Sequence, residues 1–222
     1  MQQIYDNLFS AYGNQGWWPL SKGSLNTRHH NGNPCSDADR FEIITGAILT
    51  QNTSWTNVEK AIYNLNKAKV LSADKIVKAD VKKIALLIKP AGYYNQKAAR
   101  LKIIADYFLK NKKVFLLDAK EMRKELLKVN GIGPETADSI VLYAFEKPSF
   151  VIDAYTRRIF SRMKLCNEND KYEEIQKAFE DKMPLDVELF KEYHALIVEH
   201  AKRHCKNKPV CENCVLKKKC AY

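Results

Sequence analysis

Four cysteines lie within the last eighteen residues of the 222-residue chain, as Cys205, Cys211, Cys214 and Cys220, with five, two and five residues between them. Four soft thiolates in one short segment can enclose a single metal centre. Tetrahedral zinc and a [4Fe-4S] cube both take that donor set, and the spacing leaves the two open. Two disulfides are the alternative, and they belong to an oxidising compartment. Cys35 and Cys166 are isolated and read as ordinary thiols. A second chemical feature is the run Lys128-Val129-Asn130-Gly131-Ile132-Gly133-Pro134-Glu135-Thr136-Ala137. Gly131 and Gly133 allow backbone conformations and close approaches that a side chain would block, and Pro134 suits the first position of a helix. Amides at such a helix start, with Lys128 beside them, can hold a phosphate oxygen, although the same residues also suit a plain turn between helices. Lys202, Arg203, Lys206, Lys208, Lys217, Lys218 and Lys219 surround the cysteines. They form either a solvated face or, once a metal fixes the loop, a second phosphate contact.

The elements that must position these groups read as almost entirely α-helical. Glycines number only eight, hairpin signals of the Asn-Gly kind are nearly absent, and apolar residues recur at helical spacing. Ile4, Tyr5, Leu8, Phe9 and Tyr12 make one face of a first helix that Gly13 can end. Asp37, Thr56, Ser72, Asp80, Asp118 with Glu121, Asp170 with Glu173, and Asp186 mark further starts, giving about ten short helices. The hairpin run falls between the patterns Met122–Leu127 and Thr136–Phe145. Lys and Arg total 37 against 26 Asp and Glu, a net charge of +11 that favours a polyanionic partner. No apolar run approaches the ~20 residues of a membrane span, and no signal peptide is recognisable, so the expected setting is the cytoplasm, away from any membrane.

The glycine hairpin Gly131-Ile132-Gly133-Pro134-Glu135-Thr136-Ala137, then Asp153 in Phe150-Val151-Ile152-Asp153-Ala154-Tyr155, then the cysteine tail, come in an order that resembles the helix-hairpin-helix DNA glycosylases of the endonuclease III superfamily. Ile48-Leu49-Thr50-Gln51-Asn52-Thr53 and Ala91-Gly92-Tyr93-Tyr94-Asn95-Gln96-Lys97-Ala98 also look like family segments, so the resemblance covers nearly the whole chain. It implies an all-α fold of two helical domains flanking a DNA-binding cleft. One would be a six-helix domain over 22–133 carrying the hairpin; the other would be 1–21 plus 134–222, with an iron-sulfur loop at 205–220.

The resemblance also implies roles. Asp153 would be the catalytic carboxylate, stabilising the cationic sugar and orienting water, although an aspartate before Ala154 is also a good helix cap. Endonuclease III proper has a lysine where this chain has Glu135, and a carboxylate cannot form an imine with the sugar; the implied enzyme is therefore monofunctional, unless Lys128 or Lys147 substitutes. Trp17-Trp18-Pro19 and Trp55 match the 3-methyladenine DNA glycosylase III branch, which also carries glutamate at the position of Glu135. There the aromatic faces would sandwich a flipped, cationic base, with at least one of Trp17 and Trp18 expected to serve packing alone. Gln51 and Tyr93 would enter the gap left by the flipped nucleotide, while Lys128, Gly131 and Gly133 would hold the DNA backbone.

A [4Fe-4S] cluster on the four cysteines is implied, with zinc the lesser alternative. The first cysteine gap is shorter than in endonuclease III, and some relatives acting on alkylated bases lack the cluster. The expected partner is duplex DNA containing damaged bases, and the expected state a monomer. Two further readings are an endonuclease III type glycosylase and lyase acting on oxidised pyrimidines, and a non-catalytic DNA-binding module.

Overall fold

The computed structural model describes residues 1–29 and 33–222. Among the described residues the chain forms eleven α-helices joined by short turns, with one isolated antiparallel bridge, Leu20 to Arg28, as the only extended pairing. No helix among them is long and apolar enough to cross a membrane. The chain divides into two compact units, one of residues 18–147 and one of residues 1–17 with 148–222. These compact units divide between Trp17 and Trp18 and between Lys147 and Pro148.

The unit of residues 18–147 is built on α2 (Asp37–Thr50), every residue of which from Phe41 to Leu49 is buried. A helix buried all round needs neighbours on every side. Here they are α3 (Trp55–Lys67), α6 (Tyr94–Lys110), α8 (Pro134–Ser139) and the five-residue π-helical turn Ile140–Ala144 that continues α8. Ala137, Ile140, Val141, Leu142 and Ala144 are fully buried, which is why the second helix of the hairpin stays with this unit. Two short helices, α4 (Ala73–Lys78) and α5 (Val81–Leu87), pack on α6. Glu42, inside α2, accepts hydrogen bonds from the Ser21 amide at 2.7 Å and the Ser21 hydroxyl at 2.5 Å. Burial pushes its carboxyl up against the pull of those bonds.

The other unit packs α1 (Gln2–Tyr12) and α9 (Ala154–Arg162) on α11 (Val187–Arg203). Its core is aromatic: Phe150 stacks on Phe179, and both meet Tyr193 edge-on or tilted. Gln176 of α10 (Tyr172–Glu180) donates to the Phe150 carbonyl at 2.8 Å, Glu180 accepts from the Phe150 amide at 2.8 Å and the Tyr172 hydroxyl accepts from the Ile152 amide at 3.1 Å. These contacts fix the segment that leads into Asp153.

Candidate active site and cysteine loop

Asp153 is the N-cap of α9. Its backbone is extended and its Oδ1 accepts from the Thr156 amide at 2.7 Å. Its Oδ2 lies 3.6 Å from Nε2 of His194 on α11, and the two side chains are only 12% and 14% exposed. Burial alone would push the carboxyl up, but His194 and the Thr156 amide outweigh it and hold Asp153 below the usual carboxylate range. The cap and the carboxylate are thus one group: the bond that starts the helix also fixes a charged oxygen. His194 had no marker in the sequence, since a single histidine between Tyr193 and Ala195 follows no ligand spacing.

The tryptophans separate. Trp18 is 8% exposed and Pro19 is buried beside it. The Trp18 ring meets Trp55 edge-to-face at 5.3 Å and Tyr143 at 5.2 Å. It lies so close over α2 that a Cβ on Gly46 would come within 2.9 Å of the indole, which gives a physical reason for a glycine in mid-helix. Trp18 is packing that holds Trp55, the first residue of α3, and Trp55 keeps a half-buried face. Trp17 belongs to the other unit and is also half-buried.

The hairpin joins α7 (Ala119–Leu126), capped by Asp118, to α8, whose first residue is Pro134. Gly131 has φ +88°, a left-handed value that favours glycine, and a Cβ there would meet the Arg100 side chain at 2.6 Å. Gly133 is the extended N-cap of α8. A buried ion pair, Arg123 Nε to Asp138 Oδ1 at 2.8 Å, ties α7 to α8. Gln51, just after α2, is part of the same construction: its amide donates to Thr136 Oγ1 at 2.9 Å and to the Gly131 carbonyl at 3.3 Å, and its carbonyl accepts from Arg100. Arg100, on α6, braces the hairpin from outside and was left unmarked by the sequence.

Glu135 is exposed in the first turn of α8, where the helix dipole favours a negative charge. Lys128 is exposed and pairs with Glu125 at 2.5 Å, and that bond raises its pKa, keeping it an ammonium and a poor imine former. Tyr93 caps α6 in a left-handed conformation, φ +44°, with its side chain 68% exposed. Behind it, Lys97 is 1% exposed and donates to the Leu49 and Ala91 carbonyls, each at 2.8 Å. It thereby joins the end of α2 to the turn that presents Tyr93.

Cys205, Cys211, Cys214 and Cys220 line one cavity with about 540 Å³ of empty space, part of it open to solvent. The four are free of disulfides, and among the described residues no three His, Cys, Asp or Glu side chains are set to hold a metal ion. Four soft thiols lining one cavity are nevertheless the kind of donor set that a four-thiolate centre takes. The loop is held by α9. Arg158 Nε donates to the Cys205 carbonyl at 2.8 Å, and Arg162 Nη1 donates to Cys205 Sγ at 3.2 Å and to the Lys206 carbonyl at 2.7 Å. The helix that Asp153 begins therefore ends on the cysteine loop.

The chain is 46% identical, over 98% of its length and 94% of the other's, to a Methanocaldococcus jannaschii protein named as a DNA repair glycosylase. Its fold matches that of endonuclease III in a non-covalent complex with DNA, with a TM-score of 0.77 at 22% identity, over 99% of this chain and 94% of that one. It also matches 3-methyladenine DNA glycosylase of H. pylori, in a structure bound to 1,N6-ethenoadenine, with a TM-score of 0.69 at 30% identity over 90% and 96%. Residues 45–185, which include Gln51, Trp55, the hairpin and Asp153, match the model of the HhH-GPD superfamily of base excision DNA repair proteins, and the chain belongs to that superfamily.

Proposed function

We propose that the chain is a monofunctional DNA glycosylase that excises alkylated purines of the 3-methyladenine type from duplex DNA, acting as a monomer. The observation that carries this reading is a buried carboxylate, Asp153, held ionised by His194 and the Thr156 amide; beside it stands the sequence resemblance, in which Glu135 takes the position of the endonuclease III lysine. Loss of the base leaves an oxocarbenium-like sugar, and a fixed negative oxygen stabilises that cation and orients the attacking water. An N-alkylated purine is already cationic and leaves without a general acid. The electron-rich ring of Trp55, braced by Trp18, suits such a base. The similarity to a 3-methyladenine glycosylase supports the same substrate class.

The cysteine loop is read as the seat of a [4Fe-4S] cluster, with Cys205, Cys211, Cys214 and Cys220 supplying its four thiolates. The group would supply a rigid cross-link for the loop. Arg158 and Arg162 hold the loop to α9, and the loop's lysines then face a fixed direction in which DNA phosphates can be met.

The test is chromatographic identification of the bases released from duplex DNA carrying both methylated purines and oxidised pyrimidines. Release of methylated purines alone is the expected result. Asp153→Asn should keep DNA binding and lower single-turnover base release by orders of magnitude, about 10³-fold or more if the carboxylate's charge is the dominant electrostatic term. Oxidised pyrimidines in the product, or a borohydride-trapped protein–DNA adduct, would overturn the reading in favour of a glycosylase with lyase activity.

A further inference from the structure

Tyr12, at the end of α1, has no place in the chemistry above, yet its hydroxyl lies 2.8 Å from Nδ1 of His200 on α11. The opposite ring nitrogen, Nε2, lies 3.6 Å from Cys214 Sγ. His200 is 1% exposed, so a water cannot readily stand in for either partner. The guanidinium of Arg203 lies over the Tyr12 ring, 4.8 Å from its centroid, and draws charge from the phenol. A cysteine bound to a metal has no S–H to give, so its sulfur can only accept. The His200 proton must then sit on Nε2, and Nδ1 is left to accept from the Tyr12 hydroxyl. A phenol keeps its proton at neutral pH, so the hydroxyl is available to donate.

We infer that Tyr12 and His200 form a one-way donor chain onto the Cys214 sulfur, which sets the reduction potential of the cluster that the cysteine loop holds. The inference rests on the iron-sulfur reading of the loop. A donor to a ligand sulfur favours the more negatively charged, reduced cluster, so the chain raises the potential. Tyr12 and His200 are positioning residues in this sense, since they act through Cys214.

The experiment uses the full chain, reconstituted anaerobically with iron and sulfide, and measures the midpoint potential by spectroelectrochemistry. Iron and sulfide content and the absorption band near ~400 nm are recorded beforehand. His200→Leu should lower the reduced-to-oxidised ratio at a fixed potential about tenfold, a fall of about 59 mV for a one-electron couple. Tyr12→Phe should lower it by less, and His200→Gln, whose amide can still donate to the sulfur, should stay near the wild-type value. If His200→Leu fails to fold, Tyr12→Phe decides the matter. Loaded variants with the wild-type potential overturn the donor chain alone. A wild-type protein that takes up no iron and stays colourless overturns the cluster reading and the donor chain with it.

Discussion

Replacing Gly46 with alanine sets two effects of known size against each other. In a helix interior, alanine is favoured over glycine by about 1 kcal/mol. At this site the new Cβ would lie 2.9 Å from Cζ2 and Nε1 of Trp18, where ordinary contact begins at 3.4 Å, so the indole must move by at least the difference of 0.5 Å. Both groups belong to a packed interior, with α2 buried around Gly46 and Trp18 wedged between Trp55 and Tyr143. Overpacking of that kind costs about 1–3 kcal/mol. The net result should lie between no change and about 2 kcal/mol of destabilisation, against the gain that helix propensity alone would give. Moving Trp18 should also move Trp55, and with Trp55 facing the base as proposed, a misplacement of about 1 Å costs on the order of 100-fold in rate. Urea unfolding followed by far-UV circular dichroism gives the stability, tryptophan emission reports the ring environment, and single-turnover base release gives the rate. A variant more stable by about 1 kcal/mol, with unchanged emission and unchanged base release, would show that Trp18 does not rest on α2.

Gly131→Ala should cost about 2–4 kcal/mol, combining a left-handed alanine with displacement of Arg100 from Gln51, and should weaken DNA binding; wild-type urea stability would contradict the hairpin geometry. Ser21→Ala should cost about 1–3 kcal/mol, because it leaves one Glu42 oxygen short of a partner, and Ser21→Ala with Glu42→Gln should recover part of that loss in a double-mutant cycle; strict additivity would disprove the contact. Lys97 is pushed from 10.5 down to about 8 by burial, so the folded chain releases this proton before the unfolded chain does. Between those pH values the unfolded state binds more protons, and stability should rise with pH by at most about 3 kcal/mol from this residue. Lys97→Met should remove that rise, and equal pH slopes in urea melts of the two proteins would refute the enclosed ammonium.

What was legible in the sequence was local. Asp80, Asp118 and Asp186 cap helices as their spacing indicated, because a cap and the amide it meets lie within one turn of each other. Other starts slipped: Ser36, rather than Asp37, accepts from the Asp39 amide; α10 starts after Lys171, whose amide donates to Glu174, in place of Asp170 with Glu173; and α3 starts after Ser54 in place of Thr56. Neighbouring polar residues compete for one cap, and helical periodicity does not choose between them. The order of the hairpin, Asp153 and the cysteine tail along the chain is what the family resemblance reads, and the structure adds that Asp153 caps α9 and that the four cysteines line one cavity.

The groups that pattern reading missed share a different property. His194 faces Asp153, Lys97 reaches Leu49, and Arg100 meets Gln51 and the Gly131 backbone across many residues of sequence. Periodicity describes one helix at a time, and none of these contacts lies within a single helix. The division of the compact units after Lys147 has the same origin. Ile140-Val141-Leu142-Tyr143-Ala144 is apolar at every position, so it carries no stripe to say which neighbour it faces, and its continuous burial permits the π-helical turn without exposing a polar side chain. Such a segment has to be enclosed on all sides. It finds that enclosure against α2, with Tyr143 against Trp18, and this draws the whole hairpin into the unit that holds Gln51 and Trp55. Glu135 and the hairpin amides are thereby built in the same compact unit as Trp18 and Trp55, while Asp153 is built in the unit that holds Trp17 and the cysteines. A substitution in the Tyr143–Trp18 contact should therefore disturb base recognition while leaving the Asp153–His194 pair as it is.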